Sequence, residues 1–192
     1  GDGFFRYAAA QYIARYPSRS GDLHAFGEHF PVFLQSFEPA AELVYLPDVA
    51  RLEWAYHQVF HAASHPLLDL ATLAQVPVER RETLRFQIHP AARLLESAFP
   101  ILRIWQINQD DHTDDPPVDL SEGGVKLLIV RRENLDIEFR SLEDSEFSLL
   151  STLAADGDFA TACERAMAAQ PTFDLPTCFG QHVLQGTLVA FY

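Results

Sequence analysis

Apolar and polar positions follow two different rhythms along this chain. In the first third, apolar residues recur three and four positions apart, the spacing of a helix with one buried face. Phe4, Phe5, Ala8, Tyr12 and Ile13 keep that spacing until Pro17. SRSGD (18–22) reads as a loop, and HAFGEHFPVFLQSF (24–37) as a second helix kinked or broken at Pro31. VARLEWAYHQVFHAAS (49–64) predicts a third helix, capped by Asp48 and limited by Pro66. LLDLATLAQVP (67–77) predicts a short fourth.

From residue 84 the rhythm changes. LRFQIHP (84–90) and ARLLES (92–97) are short and extended in pattern, and PILRIWQIN (100–108) predicts a helix with proline in its first turn. QDDHTDDPPVDLSEGG (109–124) is acidic, rich in Pro and Gly and without periodicity, the mark of a loop or linker. GVKLLIVRRE (124–133) and LDIEFRSLE (135–143) predict a β-hairpin around Asn134. LEDSEFSLLSTLAADGDFATACERAMAAQ (142–170) predicts two helices joined by a tight turn at Asp156-Gly157-Asp158. Asp144 or Ser145 can cap the first of them and Asp158 the second. LPTCFGQHVLQGTLVAFY (175–192) reads as a last helical segment with an apolar tail. The fold class is therefore α+β: an all-helical domain over residues 1–83, then a small winged-helix-like α/β domain over 84–192, with an acidic loop at 109–124. No internal repeat is present.

The third helix carries a ladder: Glu53, His57, His61 and His65 at steps of four. At about 100° per residue, Leu52, Tyr56, Val59, Phe60 and Ala63 share one apolar sector, and the ladder spirals away from it. Two histidines at i and i+4 can ligate one ion, but three or four such steps cannot converge on it. A metal site at His57 and His61 would need a further ligand, from Glu53 or His24. The favoured reading is a half-buried polar flank in which Glu53, Trp54, His57 and His61 meet another domain or another protein.

Composition narrows the function. The chain has 192 residues, 48% of them hydrophobic, with 15 Phe and 1 Met, which suits an ordered core. Its formal net charge is −13, which opposes non-specific binding to nucleic acid or anionic lipid. No apolar run approaches the roughly 20 residues of a membrane helix. Cys163 and Cys178 are too few and too distant for a disulfide framework or a zinc knuckle. A cytoplasmic protein with reduced thiols is the plain reading. GDGFFRYAAAQYIARY is in helical rhythm from its first residues, as the interior of a longer chain would be.

No Walker loop, dinucleotide fingerprint, nucleophile elbow or HExxH is present, and no residue set assembles a catalytic constellation. The helix-turn-helix at 144–169 raises a DNA-binding regulator as an alternative, but its second helix begins FATACERA, poor in the residues that read bases. The hairpin offers another use. A small sheet with an open edge accepts an extended peptide as an added strand. Lys126, Leu128, Val130, Arg131 and Arg132 form the candidate peptide-binding strand, with Arg131 and Arg132 placed to pair with acidic residues.

FFRYAAAQYIARYPSRSGDLHAFGEHFPVFL, YLPDVARLEWAYHQVFHAAS and HPAARLLESAFPILRIWQIN together resemble the HvfC/BufC family, earlier catalogued as a DNA-binding domain family. The likeness runs over essentially the whole chain, and YLPDVARLEWAYHQVFHA is its most specific part. The resemblance implies further helix ahead of GDGFF, a helical domain followed by an α/β domain, and no catalytic residues. It also implies a partner, a multinuclear non-haem iron oxygenase that would hold the iron, with no cofactor in this chain. Such pairs modify cysteines of a ribosomally made precursor peptide in copper-related pathways. VKLLIVRRENLDIEFRSLEDSEFSLLSTLAADGDFATACERA also looks like a precursor-recognition domain of the PqqD-like kind, in which a hairpin and helices take the leader peptide as a strand.

Overall fold

The computed structural model describes residues 1–109, 117–132 and 134–192. The chain is α+β, and its described residues form nine α-helices and five strands in two small sheets. It divides into two compact units, residues 1–58 with 97–125 and residues 59–96 with 126–192. The boundary expected at 83/84 falls inside the second unit, and the division passes within the helix Leu46–His61. Of the acidic loop expected at 109–124, residues 110–116 lie outside the described residues, and Leu120–Glu122 form a short 3-10 helix.

The first unit is helical. α1 (Asp2–Arg15) turns Ala8 and Tyr12 into the core and leaves Phe5 and Ile13 exposed on the predicted stripe. The rings of Tyr16, Phe26, Phe30 and Phe33 surround Tyr12, with centroids 5.2 to 5.7 Å away. Pro31 does not kink a helix. It stands in the first turn of α2 (Phe30–Gln35), where a residue without an N–H forfeits no bond, and a short 3-10 helix (Leu23–Ala25) and turns at 26–29 precede it. α3 (Leu46–His61) starts ahead of Asp48, which lies in its first turn rather than at its cap. Asp48 accepts the Ser97 hydroxyl at 2.6 Å and pairs with Arg51 at 3.1 Å. The buried stripe of α3 runs through Leu52, Ala55 and Val59; Phe60, expected in that sector, is 54% exposed.

The second unit holds both sheets. α4 (Leu70–Ala74), capped by Asp69, and α5 (Val78–Arg81) precede β1 (Phe86–Ile88) and β2 (Ala92–Ser97). The first unit's α6 (Ile101–Ile107) intervenes before β3 (Val125–Arg131) and β4 (Ile137–Ser141). α7 (Asp144–Ala154), α8 (Phe159–Ala169) and α9 (Leu175–Leu184) follow. The apolar tail expected to continue the last helix is instead β5 (Leu188–Phe191), antiparallel to β1 with Phe86 opposite Phe191. Gly186, at φ +69, ends α9 and lets the chain turn back; a side chain there would meet Leu67.

The second sheet has the order β2-β3-β4. Leu128, Leu149, Leu150 and Leu188, each without exposed surface, and Val130 anchor the core of this unit between that sheet and the helices. Each such leucine contributes about 1.5–3 kcal/mol on burial. Asp158 caps α8 through the Thr161 N–H at 2.8 Å. α7 has no side-chain cap: Asp144 pairs with Lys126 instead, and Ser145 is buried with its hydroxyl unpartnered.

Candidate functional site

The hairpin places the candidate peptide strand differently from the sequence reading. β3 is the middle strand, so its backbone is occupied on both sides and cannot receive an added strand. Leu128 and Val130 lie in the core. Lys126 is held by Asp144 at 2.6 Å and Glu96 at 3.4 Å, over the Phe147 ring. Arg132 pairs with Glu138 at 2.6 Å and donates to the Gln185 carbonyl at 3.2 Å. Arg131 donates to the carbonyls of Val59, Phe60 and Ala62 at the end of α3. All five residues build the domain, and none offers a peptide a strand partner.

The outer strand β4 is the place for one. Backbone hydrogen bonds run from Leu142 to Lys126 and from Arg132 to Asp136, both at 2.8 Å. Alternation along an antiparallel pair then directs the backbone groups of Ile137 and Ser141 away from β3, toward the sheet's edge.

A polar network stands behind β4. The Arg140 guanidinium contacts the Glu146 carboxylate and lies 3.2 Å from His182 Nε2, which in turn is 2.9 Å from the same carboxylate oxygen. A carboxylate only accepts, so Nε2 carries the proton, and the buried Nδ1 has no hydrogen-bond partner among the described residues. Burial alone would raise the Glu146 pKa; the hydrogen bond from His182 and the charge of Arg140 outweigh it and hold the carboxyl below its ordinary value. Burial and the same carboxylate push the Cys178 thiol up to about 12. Glu146, Cys178 and His182 hold their ligand atoms within 4.8 Å of one another. That is a donor set zinc can use, but Arg140 already neutralises its carboxylate and opposes a second cation there. The sequence signal for this cluster was the i, i+4 spacing of Cys178 and His182, hidden inside an apolar segment.

On α3 the side chains of the predicted flank take different partners, while His57 and His61 come together with His24, the three holding ligand atoms within 4.8 Å of one another. Trp54 stacks on His57 at 5.2 Å and lies over Gly27, where a Cβ would come within 3.1 Å of the indole. His57 Nε2 donates to the His24 carbonyl at 3.1 Å, with the two rings 5.7 Å apart. Glu53 is exposed at the side of an apolar groove, and desolvation by its surroundings raises its pKa. His61 follows His57 by one helical turn, is exposed and packs edge-on to Phe60. His65 lies beyond the helix, donating through Nδ1 to the Pro66 carbonyl at 2.9 Å.

α8 offers little to DNA: its only charged side chains are Glu164 and Arg165. No family model matches the chain, and no curated protein matches it.

Proposed function

We propose that this chain is the non-catalytic partner of a multinuclear non-haem iron oxygenase and recognises a ribosomally made precursor peptide whose cysteines that enzyme modifies. In this reading the second unit is a winged-helix-like domain of the PqqD-like kind, with β3–β4 as its wing and α7–α8 as its helical hairpin. The precursor adds as a strand along β4, and the first unit meets the oxygenase through Glu53, Trp54 and their neighbours. Iron belongs to the oxygenase, and the pathway is a copper-related one.

The observation that carries this reading is the edge position of β4 beside β3, whose backbone is paired on both sides and whose residues 127–130 are buried. An edge strand backed by a rigid sheet is the element that strand addition requires. The absence of a long apolar helix among the described residues is consistent with a partner that does not span a membrane by a helix.

Co-expression with the proposed iron oxygenase, followed by size exclusion and metal analysis of each peak, tests the partnership. A stable heterodimer whose iron follows the oxygenase supports it. Separate elution of the two chains, or stoichiometric metal in this chain alone, overturns it.

A further inference from the structure

The first unit contains a groove of about 500 Å³ bounded by α1, α2, α3 and α6. Phe4, Phe5, Leu34, Leu46, Val49 and Trp105 supply its walls, and Phe5 is 62% exposed. Glu53 is the single charged side chain among the described residues that line it. This contrasts with the surrounding chain, of which 21% is charged. Aromatic walls with charge nearly excluded are the composition of an interface core, and an exposed apolar surface of this kind marks a binding site.

The lone carboxylate decides what fits. An anionic amphiphile would bring like charge against Glu53, and a wholly apolar ligand would cover that carboxylate without pairing it, which is unfavourable. A cation seated beside it removes both penalties. The raised pKa of Glu53 is consistent with its apolar surroundings.

We infer that this groove receives an apolar segment of a partner protein that carries one lysine or arginine, whose cation pairs with Glu53. The inference rests on the reading of this chain as a partner subunit and adds the chemistry of the segment it holds. The anchors are aromatic or aliphatic side chains seated among Phe4, Phe5 and Trp105, with the basic residue reaching between α1 and α3.

The test is a phage-displayed library of random linear peptides, selected on the full chain and counter-selected on Glu53→Lys. Enriched peptides should combine apolar anchors with one basic residue. A synthetic copy should lose about tenfold or more in affinity on Glu53→Lys, and again when its basic residue is changed to Glu, while the two changes together restore part of the loss. Glu53→Gln, which keeps the side-chain shape, should abolish the preference for the basic residue. Peptides without a basic residue, affinities indifferent to both Glu53 variants, or no enrichment over the counter-selected variant would overturn the inference. Ile137→Pro, on β4, should leave this binding unchanged. A precursor that fails to bind β4 while the groove behaves as described sinks the peptide-recognition reading alone; the reverse pattern sinks this inference alone.

Discussion

The guanidinium of Arg131 donates to the Val59 carbonyl at 3.2 Å and to the Ala62 carbonyl at 2.6 Å, with the Phe60 carbonyl between them also accepting. Those carbonyls end α3, where helix geometry supplies no N–H partners and the macrodipole favours a cation. One side chain of β3 therefore closes the helix that carries the histidine ladder.

Arg131→Ala should lower stability by about 2 kcal/mol, because it strands carbonyls in a half-buried setting. Arg131→Lys should recover only part of the loss, since an ammonium cannot reach three carbonyls as a planar fork does. Denaturant titration of the three proteins measures both differences. Equal stability of the alanine variant and the parent would contradict this role.

Glu146→Ala should be more costly, about 3 kcal/mol, because it leaves Arg140 and the fully buried His182 without their shared acceptor. The acid dependence has a definite sign. The folded-state pKa of Glu146 lies below its ordinary value of 4.5, so its contribution is complete above 4.5 and is lost as pH falls from there through the depressed value. Stability curves of the parent and Glu146→Gln should therefore converge on acidification. A constant gap between them across that window would show that Glu146 is not the group responsible.

Cys178, with its thiol pushed up to about 12, should react slowly with thiol reagents at neutral pH. Burial raises Cys163 in the same direction. Both should become reactive together when the chain is unfolded in guanidinium chloride. Rapid labelling of Cys178 in the native state would mean that the network around Glu146 opens.

Gly27, at φ +137 and against the Trp54 ring, tolerates no side chain. Gly27→Ala should cost about 1–3 kcal/mol through backbone strain and displace the indole. In a Trp105→Phe background, the Trp54 emission should shift on that substitution. An unchanged spectrum and midpoint would contradict the close approach.

Helices and hairpin were legible where local chemistry decides them. Pro17, Asp158 and the apolar run of β3 each act within a few residues, and the structure follows them. Pro31 was read as a breaker because its position relative to the helix start depends on how Phe30 and Phe33 pack around Tyr12. β5 was unreadable as a strand because LVAF is too short to show alternation, and its partner β1 lies about a hundred residues away in sequence. The same limit hid the middle position of β3: which strands flank it depends on ARLLES, distant in sequence. Cys178 and His182 share α9 at i, i+4 spacing, but Glu146 comes from α7, and nothing local marks its approach to them.

The most direct measurement is titration of the proposed precursor peptide onto the full protein and onto Ile137→Pro. The Ile137 N–H faces away from β3, so proline there removes an outer-edge donor and leaves the β3 ladder intact. With the thermal midpoint unchanged, the account predicts that the parent binds the peptide and that the variant loses about tenfold or more in affinity. Equal binding by the two proteins, or none by the parent, would contradict recognition along β4.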